Sequence, residues 1–218
     1  MIIGSDFDGV IADETQAKIN FIKERHNISI KPSETHRTAL EKKLSAEILE
    51  DIKANFNSSK HTLDFVPFPG VAEVFRKLVS EGDKIIIVTG RGLEGLKWAR
   101  EFMKIHKIPF HHMWSAKKFF LNVNRECERA LRGWNIHFKS KGRLAEAVKL
   151  AVFVDDSERF LEELYPLRDK IKLFLFDQPY NRKFSMEGVE RVYGWPEIYE
   201  KIQELKMILT GCKNGKTA

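Results

Sequence analysis

MIIGSDFDGVIAD, residues 1–13, is the stretch of this 218-residue chain that decides the fold. A short apolar run leads into two aspartates, Asp6 and Asp8, and Gly9 follows them directly. Alternate residues of an extended strand point to the same side, so both carboxylates are expected to enter one small volume. Two like charges this close are unfavourable unless a cation or a shared proton compensates them. The pair therefore indicates either an acidic turn at the end of a strand or a functional site.

The composition of the chain limits the classes of protein to which it can belong. Hydrophobic residues make up 43% and charged residues 31%, which favours a sizeable core and excludes a chain disordered by composition. No apolar run reaches the length of a membrane span, and no basic segment precedes the first apolar residues. The two cysteines, Cys127 and Cys212, lack metal-ligand spacing. We expect a cytoplasmic protein without membrane attachment, and the sequence leaves monomer and homodimer open.

The formal net charge of +6 biases the surface toward anionic partners such as phosphates and nucleic acid. The basic residues are nevertheless scattered, and the densest groups are only the Lys-Lys pairs at 42–43 and 117–118. Solvated helix faces account for most of them. Nucleic acid therefore stays open as a partner but is not favoured over a small phosphorylated molecule.

Strand and helix patterns alternate along the chain. Apolar runs at 85–88 and 151–154, and a mostly apolar run at 171–176, are typical of strands buried in a parallel sheet. A further short strand is expected at 108–113, where Pro109 limits its length. Helical spacing of apolar residues marks seven segments: 14–26, 44–56, 71–79, 96–106, 144–148, 160–164 and 196–209.

This alternation predicts an α/β fold with a mainly parallel sheet covered by helices on both faces. Residues 1–13 and 67–210 are expected to form the core domain. Residues 14–66 are interpreted as a small helical cap inserted after the first strand, and residues 211–218 as a polar tail. The segment 115–138 stays unassigned, because its apolar spacing fits both a helix and a strand.

The predicted strands bring polar residues to one edge of the sheet, where ligands of parallel sheets bind. The residues at those strand ends are Asp6, Asp8, Thr89, Asp155 and Asp156. Four carboxylates gathered there would repel one another without a hard cation, and carboxylates with a backbone carbonyl and waters suit Mg²⁺. We assign Asp6, the backbone carbonyl of Asp8, and Asp155 as metal ligands. Asp156 is expected to support these ligands from outside the coordination sphere.

The same residues suit the transfer of a phosphoryl group. An aspartate that attacks phosphorus forms an aspartyl-phosphate, and a second aspartate can protonate the leaving oxygen and later activate water. The Thr89 hydroxyl and the loop N–H groups at Gly90 and Arg91 can bind phosphate oxygens. The Arg91 side chain either contacts the substrate or is an exposed loop residue.

Three lysines before Asp155 could supply the positive charge that a phosphoryl group requires. They are Lys139, Lys141 and Lys149. Lys141 is best placed, at the entrance to a short helix, whereas Lys149 can be explained as a residue that flanks the next strand. We therefore assign Lys141 as the phosphate-binding lysine and keep the other two as alternatives.

The order of these motifs resembles that of the haloacid dehalogenase-like superfamily of phosphohydrolases. The four motifs stand here as Asp6-Phe7-Asp8-Gly9-Val10, Ile87-Val88-Thr89-Gly90-Arg91, a lysine, and Val154-Asp155-Asp156. The resemblance covers nearly the whole chain and implies a Rossmann-like three-layer α/β/α core with a small helical cap after the first strand. It also implies Asp6 as the nucleophile and Asp8 as the general acid and base. Thr89 and Lys141 would bind phosphate, and Asp155 would be the last metal ligand.

Features outside these motifs resemble the cytosolic and mitochondrial deoxyribonucleotidase branch of that superfamily. They are Phe68-Pro69-Gly70, Asp155-Asp156-Ser157, FDQPYN at 176–181 and RVYGW at 191–195. The likeness implies a Mg²⁺-dependent phosphomonoesterase that acts on a nucleoside monophosphate, in that branch a deoxyribonucleoside monophosphate, through an aspartyl-phosphate. Two alternatives stay open: a phosphatase on nucleic-acid ends or another small phosphoester, and a non-enzymatic phosphate-binding or receiver module.

Overall fold

The computed structural model describes residues 1–115, 145–146 and 148–214, with side chains up to residue 211. The segment 115–138, which the sequence analysis leaves unassigned between helix and strand, lies outside the described residues except for residue 115. Within the described part of the chain, no helix combines the length and the hydropathy that a membrane span requires.

A parallel sheet forms the centre of the molecule. In chain order, the strands of the described residues are β1 (Ile2–Ser5), β2 (Ala12–Asp13), β3 (Val66–Pro67), β4 (Lys84–Thr89), β5 (His112–Ser115), β6 (Val152–Asp155), β7 (Lys172–Phe176) and β8 (Val189–Val192). Six of them form one sheet in the order β5-β4-β1-β6-β7-β8, and every neighbouring pair runs parallel. The predicted parallel α/β sheet is thus confirmed, with β1 between β4 and β6 at its centre.

Helices cover the two faces of this sheet. The helices α4 (Val71–Ser80), α5 (Leu93–Ile105), α6 (Glu158–Leu164) and α7 (Trp195–Asn214) pack on the sheet. The helices α1 (Thr15–His26), α2 (Arg37–Leu40) and α3 (Ala46–Asp51) lie in the segment inserted between β2 and β3. Short 3₁₀ turns lie at Pro32–Glu34, Lys60–Asp64 and Tyr165–Leu167, and one π-helical turn lies at Ile52–Phe56.

Side-chain alternation along the strands divides the core into two layers. Ile85 and Ile87 of β4 pack in the larger cluster, which α4, α5 and α7 cover. Ile86 and Val88 point to the opposite face and pack in a second cluster, which includes Leu161 of α6. Because successive strand residues face opposite sides, the uninterrupted apolar run of β4 fills both layers.

The residues between β2 and β3 form the helical insertion that we call the cap. Its apolar side chains, such as Phe21, Leu40 and Phe56, belong to the same cluster as the larger core layer. The second predicted cap helix is divided into α3 and the π-helical turn. α3 begins after Ser45, whose hydroxyl accepts a hydrogen bond from the Ile48 N–H at 3.4 Å. β2 and β3 pair antiparallel and join the two ends of the cap to the core.

Four strands differ from the sequence-based expectations. The strand expected at 108–113 is β5, which begins only at His112, because α5 ends in a turn where Lys107 has a φ of 53° and Ile108 bonds back to Met103. The sequence analysis did not predict β8, which is short and half polar, nor the two-residue strands β2 and β3.

Candidate active site

Three aspartates converge where the central strands end. β1 and β6 lie side by side, and the Asp6 N–H donates to the Val154 carbonyl at 2.9 Å. One carboxylate oxygen each of Asp6, Asp155 and Asp156 lies within 4.8 Å of the other two. All three side chains are buried. Closely spaced buried carboxylates need a compensating positive charge, and an all-oxygen donor set is the kind that a hard divalent cation prefers. The chemistry of this cluster therefore fits Mg²⁺.

The local backbone fixes the positions of these carboxylates. The Ser157 N–H donates to Oδ1 of Asp155 at 2.9 Å, which holds that carboxylate against the turn after β6. Gly9 has a φ of 72°, and a Cβ atom there would lie 2.4 Å from Oδ2 of Asp156. Glycine at this position therefore satisfies a left-handed backbone and leaves room for the Asp156 carboxylate.

The loop after β7 contacts the cluster from a second side. The Tyr180 hydroxyl donates to Oδ2 of Asp156, and Nδ2 of Asn181 donates to the Asp156 backbone carbonyl at 2.8 Å. Nε2 of Gln178 reaches the Gly9 carbonyl at 2.6 Å. Burial and the neighbouring Asp156 charge raise the pKa of Tyr180 well above its usual value, so the phenol stays protonated and donates.

Arg191 holds this loop in place. Its NH1 group donates to Oδ1 of Asp177 at 2.7 Å and to Oδ1 of Asn181 at 2.9 Å. Its NH2 group donates to the backbone carbonyls of Asn181 and Phe184. The sequence analysis treated this stretch only as a family feature and missed Tyr180 as a site residue. The available signal was a tyrosine and an asparagine directly after a buried strand end.

Asp8 lies beside the cluster, and its carboxylate is held by Arg91. Nε of Arg91 donates to Oδ2 of Asp8 at 2.8 Å, and its NH2 group donates to Oδ1 at 2.6 Å. Arg91 is buried, so it is not the exposed loop arginine that the sequence left open as an alternative. Its donors face Asp8 and the cap, as described below.

The end of β4 supplies the loop expected to bind phosphate. Thr89 is fully buried, and its hydroxyl oxygen accepts the Arg91 N–H at 3.2 Å. A Cβ atom on Gly90 would meet no atom of the described chain within 4 Å, so the backbone there is open to a ligand. Lys141 and its alternative Lys139 lie outside the described residues. Lys149 is described; it has a φ of 55° in the short turn before β6.

A cavity of about 370 Å³ opens above these residues, which is a volume suited to a small molecule. Asp6, Asp8 and Asp156 line one side, together with the loop at 90–92. The cap supplies much of the remaining lining, namely Glu14, Lys18, His36, Arg37, Thr38, Glu41, Lys53, Asn57 and Ser58. The core adds Ser157, Arg159, Phe160 and Tyr180. The cavity is therefore shared between the cap and the core.

A largely buried ion pair lies in the cap wall of the cavity, with the Lys18 side chain 7% and the Glu14 side chain 17% exposed. Lys18 and Glu14 lie one turn apart on the first helical segment, and the Lys18 ammonium contacts the Glu14 carboxylate and the Thr35 carbonyl, the latter at 3.3 Å. Burial raises the pKa of Glu14, and Lys18 opposes that shift. The sequence analysis did not identify either residue, because charged residues on an amphipathic helix are usually solvated.

His36 links the cap to the loop after β7. Its ring stacks on Tyr180, with 4.7 Å between the ring centroids and 22° between the ring planes. Burial is the main cause that lowers the pKa of His36 to about 4, and the nearby Lys18 acts in the same direction. The imidazole is therefore neutral at pH 7, and the stack joins two uncharged rings at the cavity edge.

The amino-acid sequence matches one protein family over nearly its full length. The profile of the family described as "5' nucleotidase, deoxy (Pyrimidine), cytosolic type C protein" matches residues 1–208. No individual curated protein is similar enough in sequence to count as a match.

Several solved structures share the fold at low sequence identity. A HAD-superfamily hydrolase from Ehrlichia chaffeensis is 10% identical, with a TM-score of 0.50 over 94% of this chain and 96% of its own. A HAD-superfamily hydrolase of subfamily IA from Geobacter sulfurreducens is 15% identical, with a TM-score of 0.52 over 91% and 94%. CbbY from Rhodobacter sphaeroides, solved with phosphate, is 14% identical, with a TM-score of 0.51 over 90% and 95%. At these identities the likeness concerns the fold alone.

The family match and the shared fold confirm the resemblance that the sequence motifs indicate. The family match also favours the phosphatase over the alternative of a non-enzymatic receiver module, because the matched family is described as a nucleotidase family. The chain belongs to the cytosolic type C deoxy-5′-nucleotidase family within the haloacid dehalogenase-like superfamily, and it is a phosphatase for a small phosphorylated substrate.

Proposed function

We propose that this phosphatase hydrolyses nucleoside monophosphates, with deoxyribonucleotides preferred, through an aspartyl-phosphate on Asp6 and with Mg²⁺ as cofactor. The observation that carries the proposal is the convergence of Asp6, Asp155 and Asp156 within 4.8 Å at one side of a cavity of about 370 Å³. The family match over residues 1–208 supports the substrate class and a cytoplasmic location.

The three clustered aspartates would hold the metal ion, with the Asp8 backbone carbonyl as a further ligand. This differs from the sequence-based assignment in one respect, because the Asp156 carboxylate lies in the cluster with Asp6 and Asp155. A bound Mg²⁺ would neutralise charge on the phosphoryl oxygens and on the surrounding carboxylates. The residues of the chain then perform the steps of bond breaking and proton transfer.

In the first step, a carboxylate oxygen of Asp6 attacks phosphorus, and the bond between phosphorus and the ester oxygen breaks. Asp8 gives a proton to the departing oxygen, so the nucleoside leaves as a neutral alcohol. Thr89, the N–H groups at Gly90 and Arg91, and Lys141 hold the phosphoryl oxygens during this transfer. The product is an acyl-phosphate on Asp6.

In the second step, a water molecule attacks the phosphorus of the acyl-phosphate. Asp8 is now a carboxylate and accepts a proton from this water, and the bond to Asp6 breaks. Inorganic phosphate leaves, and both aspartates return to their starting states. Asp8 lies within the cavity lining beside Asp6, as both steps require.

A phosphate-release screen tests the proposal. The panel comprises ribo- and deoxyribonucleoside 5′- and 3′-monophosphates, sugar phosphates and oligonucleotides with a terminal phosphate, each with and without Mg²⁺. We expect Mg²⁺-dependent release that is fastest with a nucleoside monophosphate and is abolished by Asp6→Asn. Equal release from the Asp6→Asn variant would remove the proposed nucleophile, and a preference for oligonucleotide ends or sugar phosphates would favour the alternative substrate classes.

A further inference from the structure

The proposed two-step reaction uses the backbone N–H of Arg91 but gives no role to its side chain. Arg91 lies at the start of the loop after β4, and its partner Asp8 is 83 residues away in the sequence. Four of its hydrogen bonds determine what it can do: two to Asp8, described above, and two to the cap. The NH1 group donates to the Thr62 hydroxyl at 2.6 Å and to the Asn57 backbone carbonyl at 3.0 Å.

The Arg91 guanidinium packs closely against neighbouring side chains. Its central carbon lies over two aromatic rings, 5.0 Å from the ring centroid of Phe7 and 5.4 Å from that of Phe65. Both contacts are within the range of a cation–π interaction. Gly95 of α5 leaves the space that this arrangement needs. A Cβ atom there would come within 3.0 Å of the Asn57 carbonyl and 3.1 Å of the Arg91 Cβ.

Arg91 and Asp8 differ in the fraction of the side chain that is exposed to solvent. The Asp8 side chain is 28% exposed toward the cavity, whereas the Arg91 side chain is only 3% exposed. Both residues line the cavity, but Asp8 presents the larger part of its side chain to it, and the Arg91 guanidinium is almost entirely covered. A cation in this position acts on Asp8 and does not need to contact the phosphoryl group.

We propose that Arg91 is a positioning residue, which orients the Asp8 carboxylate for water activation and ties that orientation to the cap through Asn57 and Thr62. The proposal rests on the proposed role of Asp8 as the base of the second step. A planar guanidinium that binds both carboxylate oxygens fixes the plane of the carboxylate, which a single point charge cannot do.

The second step can be observed separately with 4-nitrophenyl phosphate. Its leaving group needs little protonation, so slow hydrolysis of the aspartyl-phosphate appears as a burst of nitrophenol. We expect Arg91→Met to lower the steady-state kcat by about 100-fold, as misplacement of a catalytic group does. KM should fall by a similar factor, because kcat/KM reports the first step, which is unchanged. The variant should show a burst near one equivalent per active site, because the first step continues while the second is slow.

Matched variants separate orientation from charge and from general damage. Arg91→Lys keeps the charge without the two-pronged contact, and we expect it to retain a slow second step with a burst. Thr62→Val removes the cap hydroxyl with little change of volume. We expect it to show a burst and a smaller decrease in kcat than Arg91→Met. It tests the proposal independently, even where Arg91→Met does not fold. Arg100→Met is the control, because Arg100 is half-buried and donates to the Met113 carbonyl at 3.3 Å, outside the cavity lining.

The outcomes distinguish this proposal from its alternatives. A raised KM and a slower first step without a burst would show that Arg91 binds phosphate and would overturn the proposal. Full activity of Arg91→Lys would also overturn it, because charge alone would then suffice. The proposed function fails separately if Asp6→Asn still hydrolyses 4-nitrophenyl phosphate, a result that does not depend on Arg91.

Discussion

The hydroxyl of Tyr180 donates a hydrogen bond to Oδ2 of Asp156, so the loop after β7 directly supports the acidic cluster at the end of β6. A hydrogen bond to a metal-binding carboxylate fixes its orientation, and loss of such a partner typically lowers metal affinity about 10-fold to 100-fold. We expect Tyr180→Phe to weaken Mg²⁺ binding by this factor, measured by calorimetric titration of the free enzyme.

Tyr199→Phe is the matched control for this change, because Tyr199 donates to Glu81 on the surface. It should leave Mg²⁺ affinity unchanged. Equal Mg²⁺ affinity in the Tyr180→Phe variant and the wild type would show that Tyr180 does not support the metal site.

Gly9→Ala tests the close approach between the first motif and Asp156. A methyl group at Gly9 would lie 2.4 Å from Oδ2 of Asp156, in addition to the cost of about 1–2 kcal/mol for a left-handed alanine. Gly82 has a φ of 85°, but a Cβ atom there meets nothing within 4 Å. We therefore expect both variants to lose stability in urea unfolding, and only Gly9→Ala to lose phosphatase activity. Similar activities of the two variants would contradict the predicted displacement of Asp156.

The pKa of His36 predicts a loss of stability in acid. The unfolded chain binds a proton at this residue below about pH 6.5, whereas the folded chain does so only near pH 4. Unfolding therefore takes up a proton in this window, and stability falls as the pH is lowered through it. The charges near His36 act in both directions, since Lys18 and Arg37 lower its pKa and Glu41 raises it.

His36→Phe isolates this effect, because it keeps a ring against Tyr180 and removes the titration. Between about pH 7 and pH 4.5, the wild type should lose roughly 2 kcal/mol more unfolding free energy than the variant. Urea unfolding at the two pH values measures the difference. Parallel losses in both proteins would rule out a depressed pKa at His36.

The ion pair between Lys18 and Glu14 should be costly to break from one side. Lys18→Met leaves the buried Glu14 carboxylate without its ammonium partner, for an expected cost of about 3 kcal/mol. Combining Lys18→Met with Glu14→Gln should cost less than Lys18→Met alone, since no charge is then left unpaired. A double-mutant cycle of unfolding free energies measures the coupling, and strictly additive changes would contradict it.

The predictions from sequence succeeded where local pattern and tertiary structure agree. The runs that became β4 and β6 are buried on both faces of the sheet, so their composition alone identified them. Asp6 directly follows β1 and Asp155 is the last residue of β6, and the parallel pairing of these strands brings the two residues together. β8 was missed because Val189–Val192 is only partly apolar and obtains its hydrogen bonds from β7 at the sheet edge.

Contacts between distant loops were not predictable in the same way. Tyr180 meets Asp156, and Arg91 meets Asp8, through positions that no periodicity encodes. Glu14 and Lys18 resemble an ordinary solvated helical pair in the sequence, and Lys18 is buried only because the cap folds Thr35 and Phe56 against it. The cap and loop contacts that surround the cavity therefore depend on the assembled fold.

The most direct test of the account is to identify the residue that carries phosphate during turnover. The enzyme is mixed with its best substrate and Mg²⁺, quenched in acid within the first turnovers, digested, and analysed by mass spectrometry. We predict a phosphate adduct on Asp6 in the wild type and none in the Asp6→Asn variant. An adduct on another residue, or rapid turnover in which no adduct forms on Asp6, would contradict the account.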